Sequence, residues 1–140
     1  PLIANWPNKI KNPRNYSGLI NFTDFYATFT DILGVHNKSD GTSMMDVFAN
    51  EIIEKRKTAT SYYDPMWSPK VTQFRNVYSQ DYRYKLYKNG EFYDMENDVL
   101  ETKPLKDENL DEDQKTIKAK LTIELATFPS LPEFSFVRGQ

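Results

Sequence analysis

Residues 81–105 read DYRYKLYKNGEFYDMENDVLETKPL, and their pattern decides the fold of the second half of the chain. Tyr82, Tyr84 and Leu86 alternate with Arg83, Lys85 and Tyr87, the two-residue period of a strand with one buried face. Asn89-Gly90 is the pair that a two-residue type I′ turn prefers, and residues 91–95 form the return strand. Asp94, Asn97 and Asp98 follow as turn formers, because short polar side chains hold nearby backbone groups.

Outward from this hairpin the same period continues. Residues 71–79 and the threonine- and tyrosine-rich residues 57–63 read as two further strands, so the expectation is about four antiparallel strands. Residues 102–111 are polar and acidic and read as loop. Helical spacing then returns over 110–128, with Ile117, Leu121, Leu125 and Phe128 as an apolar spine and Gln114, Lys118 and Lys120 facing outward. Asp111 caps this helix, Asp113 sits in its first turn, and Pro129 stops it. Without the helix the sheet exposes one apolar face to water.

The first part of the chain has a different rhythm. Residues 2–6 form a short apolar run closed by Pro7 and read as a buried strand, and residues 8–16 as a polar connection. Phe22, Phe25, Tyr26, Phe29, Ile32 and Leu33 recur at helical steps and predict one continuous apolar face. Asn21 or Thr23 caps its start, Asp24 suits its positive end, and Gly34 fits the left-handed position after its last turn. Asp40-Gly41 marks a turn, and Ser43 caps a short helix carrying Met44, Met45, Val47 and Phe48 inward, prolonged by residues 49–56.

Composition narrows the function. The 140 residues are 39% hydrophobic and 14% aromatic, with a mean hydropathy of -0.70, so the core must be largely aromatic beneath a polar surface. Lys and Arg number 18 against 20 Asp and Glu, a net charge of -2 that points to no polyanion, and no nucleic-acid partner is expected. The absence of cysteine removes disulfides, thiolate metal sites and a cysteine nucleophile. No apolar run is long enough to span a bilayer. The opening Pro1-Leu2-Ile3, in the middle of what reads as a strand, is taken as a fragment or a processed product.

The hairpin also resembles the carboxy-terminal signature of the sulfatase family. Tyr84-Lys85-Leu86, Phe92-Tyr93-Asp94-Met95, Asn97-Asp98, Glu101 and Leu105 fall in the family's order, although Val99 replaces its usual proline and Lys103-Pro104 its asparagine region. Two earlier stretches agree. Pro1-Leu2-Ile3-Ala4-Asn5-Trp6-Pro7 resembles a family strand, and Thr23-Asp24, Asp31-Ile32-Leu33-Gly34 and Asp40-Gly41-Thr42-Ser43-Met44 follow in family order, with Ala27-Thr28 in place of proline-threonine. The resemblance spans about residues 1–105.

It implies an α+β fold: an about four-stranded antiparallel sheet packed by a C-terminal helix, preceded by one strand and helix from the end of an alkaline phosphatase-like α/β domain. The expected division is residues 1–56 in that large domain, 57–128 in the small sheet-and-helix subdomain, and 129–140 as an irregular tail. By the same resemblance the parent is a sulfuric ester hydrolase, periplasmic or secreted, acting on a sulfated glycan or an aryl sulfate. Its formylglycine and calcium belong to the missing N-terminal part, so this chain alone is expected to be inactive, with no catalytic or metal-binding residue of its own.

Imitations of that chemistry are weak. Ser130-Leu131-Pro132-Glu133-Phe134 starts like the family's C/S-x-P-x-R motif but has no arginine and stands at the wrong end. Asp107, Glu108, Asp111, Glu112 and Asp113 lack the alternating ligand pattern of a calcium loop and read as a solvated acidic stretch.

Single residues leave alternatives open. His36 is the only histidine; it is either a surface residue or a substrate-binding contact from the loop after the helix. Trp6, Trp67, Tyr62 and Tyr63 are either core or a sugar-stacking surface. Arg75, Arg83 and Lys85 either meet a sulfate or alternate outward on a solvated sheet face.

The expected role is therefore structural. The chain walls the substrate cleft of the parent, its partner being the remainder of the sulfatase chain, with specificity contacts from residues 35–42 and 62–70. The rival is a free-standing α+β carbohydrate-binding or protein-interaction module, and a phosphodiesterase relative is a third reading. With residues 2–6 and the helix face deprived of partners, self-association is expected.

Overall fold

A computed structural model describes residues 2–12, 14–35, 38–49, 56–65 and 69–133. The chain divides into two compact units, Pro1–Arg56 and Lys57–Gln140.

In the first unit, α1 (Thr23–Ile32) ends as its sequence predicts. Gly34 takes φ 67°, the Gly34 N–H donates to the Asp31 carbonyl, and the Val35 N–H donates to that of Thr30, a paired C-terminal closure. Its start differs from expectation. Phe22 occupies the cap position and offers no side-chain bond, while the Asp24 carboxylate reaches back to accept from the Asn21 N–H at 2.7 Å. The short α2 (Met45–Ala49) begins where the Ser43 hydroxyl accepts from the Met45 N–H at 3.2 Å; residues 50–55 of its expected extension lie outside the described residues.

Residues 2–6, expected as a strand, carry no strand pairing. A strand needs a neighbour for its backbone groups, and among the described residues of this unit there is none.

The second unit is a four-stranded antiparallel sheet in the order β1 (Ala59–Tyr63), β2 (Asn76–Gln80), β3 (Tyr84–Tyr87), β4 (Phe92–Asp94). Pairing Leu86 with both Ser79 and Phe92 sets the register, which puts Val77, Tyr84, Leu86 and Phe92 into one core with Leu110, Leu121 and Leu125. The covering helix α3 (Glu112–Ala126) has the expected Asp111 cap, completed by Gln114. The Gln114 N–H donates to the Asp111 carboxylate at 2.8 Å, and the Gln114 side-chain oxygen accepts from the Asp111 N–H at 3.0 Å.

Three expectations need correction. Residues 69–74, whose second part was expected to open a strand, form a 3-10 helix, and β2 begins only at Asn76. Pro69 stands first in that helix, where its fixed φ is compatible and its missing N–H is of no consequence.

The hairpin turn is not type I′. The Gly90 N–H donates to the Tyr87 carbonyl, the Tyr87 N–H donates to the Glu91 carbonyl, and only Gly90 has positive φ, at 97°. Lys88, Asn89 and Gly90 thus make a three-residue loop with a glycine bulge, which gives the strands the same right-handed twist by another route.

The outward row of β3 is not solvated either. Lys85 is 9% exposed and Tyr93 of β4 is 6% exposed, so the sheet is covered on both faces.

A methyl group at Gly90 meets no neighbour, so Gly90→Ala isolates the backbone penalty of the left-handed region. The expected loss is about 1 kcal/mol in denaturant unfolding, and an unchanged midpoint would contradict this turn geometry.

Candidate functional site

Lys85, Tyr87, Tyr93 and Glu101 of the 81–105 stretch converge with Tyr78 on the sheet face opposite α3. Tyr78 and Tyr87 are cross-strand partners with ring centroids 5.5 Å apart, and Tyr93 meets Tyr87 edge-on at 6.0 Å. Lys85 lies among these rings, its ammonium 4.0 Å from the Tyr78 centroid and 4.7 Å from that of Tyr87. Glu101 closes the group. It accepts from the Lys85 ammonium at 2.8 Å with one oxygen and from the Tyr87 hydroxyl at 2.5 Å with the other.

Glu101 reaches this position because the loop before it is tied down. The Asp98 carboxylate accepts from the Thr102 N–H at 3.0 Å and the Lys103 N–H at 2.7 Å, and the Glu101 N–H donates to the Asp98 carbonyl at 3.0 Å. Glu101 itself adopts φ 54°, which an L-residue rarely takes. Upstream, Asp94 receives Arg83 in a two-pronged pair at 2.9 and 2.7 Å and also accepts from the Glu96 N–H and the Asn97 amide. The turn-forming roles expected for Asp94 and Asp98 are what the structure contains.

Charge follows the contacts. Burial pulls the Lys85 ammonium down, but Glu101 and Tyr87 more than offset this and hold it above its ordinary value. Burial and the Glu101 carboxylate both push the Tyr87 phenol up, and burial raises Tyr93. Asp94 is held well below the carboxylate range by Arg83, and Asp98 is lowered by the Thr102 N–H. A protonated lysine whose partner carboxylate is already in place is a brace rather than a proton acceptor.

The other candidates separate. Arg75 donates to the Asp64 carboxylate at 2.5 Å and to the Pro132 carbonyl at 2.6 Å, so all three cations considered for a sulfate, Arg75, Arg83 and Lys85, carry carboxylate partners within the chain. Tyr62 and Tyr63 stand on the edge strand β1, 37% and 49% exposed, on opposite faces of it by strand alternation. Trp6 belongs to the first unit. Trp67 and His36 lie outside the described residues.

Ser130 follows α3 with Pro132 held by Arg75, and Phe134 lies outside the described residues. Among the described residues no group of three or more His, Cys, Asp or Glu is placed to hold a metal. Asp111 caps α3 and Asp107 pairs with Lys118. The described residues do not fit a calcium site.

One polar centre went unrecognised from sequence. Asp24, read as a helix-dipole residue, is 3% exposed, accepting from Arg56 at 2.8 and 2.6 Å and from the Thr42 N–H at 2.8 Å. Desolvation opposes its charge, and the Arg56, Thr42 and Asn21 donors outweigh it, lowering its pKa. Arg56 is 32 positions away along the chain, and no local pattern announces that pairing.

The arrangement is that of a braced scaffold, and comparison with known proteins gives it a class: the carboxy-terminal region of a sulfatase. The family model described as N-sulphoglucosamine sulphohydrolase, C-terminal, matches residues 1–128, and the chain belongs to that family. No curated protein matches.

Among solved structures the chain is similar to BT4656, in complex with its substrate D-glucosamine-2-N,6-O-disulfate, at 25% identity and a TM-score of 0.57, over 74% of this chain and 23% of that one. BT1596, a 2-O GAG sulfatase, shares the fold at 22% identity and a TM-score of 0.53, over 74% of this chain and 24% of its own. A putative sulfatase from Bacteroides thetaiotaomicron does so at 22% identity and a TM-score of 0.51, over 74% and 23%. The chain thus spans about a quarter of the length of these proteins. No helix among the described residues is long and apolar enough to cross a membrane.

Glu101→Ala removes the carboxylate that Lys85 meets among the described residues and is expected to cost about 2 kcal/mol, less than a fully buried pair because Glu101 stays 23% exposed. Glu112→Ala, breaking the exposed pair with Lys115, is expected to cost under about 0.5 kcal/mol; equal losses in chemical unfolding would remove the brace its significance.

Lys85 and Tyr87 are both held protonated above their ordinary values of 10.5 and 10.0. Their contribution is complete below those values and is lost as pH rises through the folded ones. Melting temperature is therefore expected to fall as pH rises above about 10, and less steeply in Tyr87→Phe. A parallel fall in both proteins would show that Tyr87 takes no part.

Proposed function

We propose that this chain is the structural, cleft-forming C-terminal part of a sulfuric ester hydrolase whose nucleophile and metal ligands lie elsewhere in a longer polypeptide. The observation that carries this reading is the family match over residues 1–128, joined to solved sulfatases of which the chain spans about a quarter. Residues 1–56 are assigned to the end of a large α/β domain, residues 57–128 to the small sheet-and-helix subdomain and 129–140 to a tail, an assignment supported by the division into Pro1–Arg56 and Lys57–Gln140.

The formylglycine of such an enzyme supplies the nucleophile toward sulfur, and its calcium neutralises the sulfate. Among the described residues no cluster of acidic or histidine side chains is placed to hold that calcium, and the reading assigns the reacting groups to the rest of the polypeptide. The part played by this chain is to hold shape. The two-faced sheet, with α3 on one side and the Glu101 loop on the other, is a rigid mount for the loops that border a cleft. Residues 35–42, with His36, and residues 62–70 are the segments proposed to touch substrate.

The substrate class proposed is a sulfated glycan containing glucosamine sulfated on nitrogen or oxygen. The family's own description names N-sulphoglucosamine, and the solved relative at 25% identity holds D-glucosamine-2-N,6-O-disulfate. A periplasmic or secreted location is proposed for the parent on the same kinship.

Sulfate release measured on glucosamine sulfates tests the reading. The 140-residue chain is expected to release none, and the longer polypeptide, with a C/S-x-P-x-R motif upstream, is expected to turn over. Turnover by the chain alone would refute the division of labour. A longer polypeptide without that motif would refute the sulfatase assignment.

A further inference from the structure

Lys88 differs from Arg75, Arg83 and Lys85, each of which answers a carboxylate. It lies in the loop after β3, and its ammonium donates to the Leu125 carbonyl at 3.1 Å and to the Phe128 carbonyl, closing the end of α3. Among the described residues no carboxylate pairs with it. Its full positive charge exceeds the roughly half charge of opposite sign at a helix end, so a surplus remains.

Beside Lys88 is a cavity of about 230 Å³, lined by Arg75, Asn76, Lys88, Asn89 and Ser130, with Leu131 on its apolar side and no acidic residue. Its wall is held at two points. Arg75 donates to the Pro132 carbonyl at 2.6 Å and Lys88 to that of Phe128, and Ser130 lies between these anchors. Arg75 is fixed in turn by Asp64, with side chains only 10% and 15% exposed. The nearby carboxylates are engaged elsewhere: Asp64 by Arg75, and Glu91 by the Asn89 amide at 2.9 Å. The Ser130 hydroxyl and N–H meet no partner among the described residues. A preformed cavity that offers a fixed cation, amides and a hydroxyl suits a small anion.

Its place in the fold says where that anion comes from. Tyr63 is paired with Asn76, and the Lys88 N–H donates to the Val77 carbonyl at 2.8 Å, so the cavity is at the end of the sheet where β1 gives way to the residues proposed to touch substrate.

We propose that this cavity is a second anion subsite, which takes a sulfate group from another sugar residue of the glycan, with Lys88 as its cation and Ser130 and Asn76 as polar walls. The inference rests on the sulfatase reading for the identity of the ligand, and extends that ligand from one glucosamine sulfate to a longer sulfated chain.

Titration of the 140-residue chain with a sulfated tetrasaccharide containing N-sulphoglucosamine, followed by backbone amide shifts, tests this. Desulfated tetrasaccharide and inorganic sulfate are the comparison ligands, and about 0.15 M salt screens exposed charges. Shifts are expected at Asn76, Lys88, Asn89 and Ser130, with the sulfated tetrasaccharide binding at least about tenfold more tightly than either comparison ligand. Lys88→Gln is expected to weaken binding about tenfold and Lys88→Arg to restore it to within about threefold, while Lys120→Gln, at an exposed lysine of α3, changes it less than about twofold. Should Lys88→Gln fail to fold because it uncaps α3, Ser130→Glu leaves that cap intact and is expected to weaken binding by the same factor.

Shifts confined to other residues would overturn the inference. So would equal losses in Lys88→Gln and Lys120→Gln, unweakened binding by Ser130→Glu, or inorganic sulfate binding as tightly as the tetrasaccharide. Binding is read without turnover, and sulfate release from D-glucosamine-2-N,6-O-disulfate by the longer polypeptide is read without this cavity. Binding without release supports the subsite and counts against the sulfatase reading alone; release without binding does the reverse.

Discussion

Glu101 reaching Lys85 across the sheet is the interaction on which the second unit depends. A sheet of this size has two faces to cover and one helix to cover them with. α3 takes one face with Leu121 and Leu125; the other holds a lysine among tyrosines and needs a carboxylate above it. Glu101 supplies that carboxylate only by adopting a left-handed backbone, which Asp98 stabilises by binding the next two backbone N–H groups. The loop after β4 is therefore as much a part of the sheet's packing as the helix is.

The first unit solves a different problem with the same chemistry. Asp24, read from sequence only as a helix-dipole residue, is buried, and Arg56, at the end of the unit, binds it with both prongs. A buried carboxylate with this many donors is directional in a way that apolar contact is not. It fixes the roll of α1 and leaves its aromatic side outward.

Those two devices give the functional reading its physical sense. Arg75, Arg83 and Lys85, the cations considered for a sulfate, are committed to internal carboxylates, while Asp111 caps a helix, Asp98 closes a turn and Asp107 pairs with Lys118. These internal pairings are what support the proposed role of rigidity and surface rather than reacting groups. Membership of the N-sulphoglucosamine sulphohydrolase C-terminal family accords with that division of labour.

Much of the second unit was legible in advance, because its signals are local. The alternation through Tyr84 and Leu86, the helical spacing through Leu121 and Leu125, and the Asp111 cap each depend on neighbours a few residues away. The turn at Asn89-Gly90 was located but mistyped, since the same glycine serves both loop forms and only the hydrogen bonds of Tyr87 distinguish them. The strand expected at residues 2–6 has no pairing, and the apolar face expected for α1 is exposed, for one reason. Periodicity tells which side of an element is apolar, but whether that side is buried depends on a partner distant in sequence. Amino-acid order by itself determined the sheet, its covering helix and the family; the tertiary structure alone decided which charges pair, because Asp24 with Arg56 and Lys85 with Glu101 are meetings made by chain folding rather than by spacing.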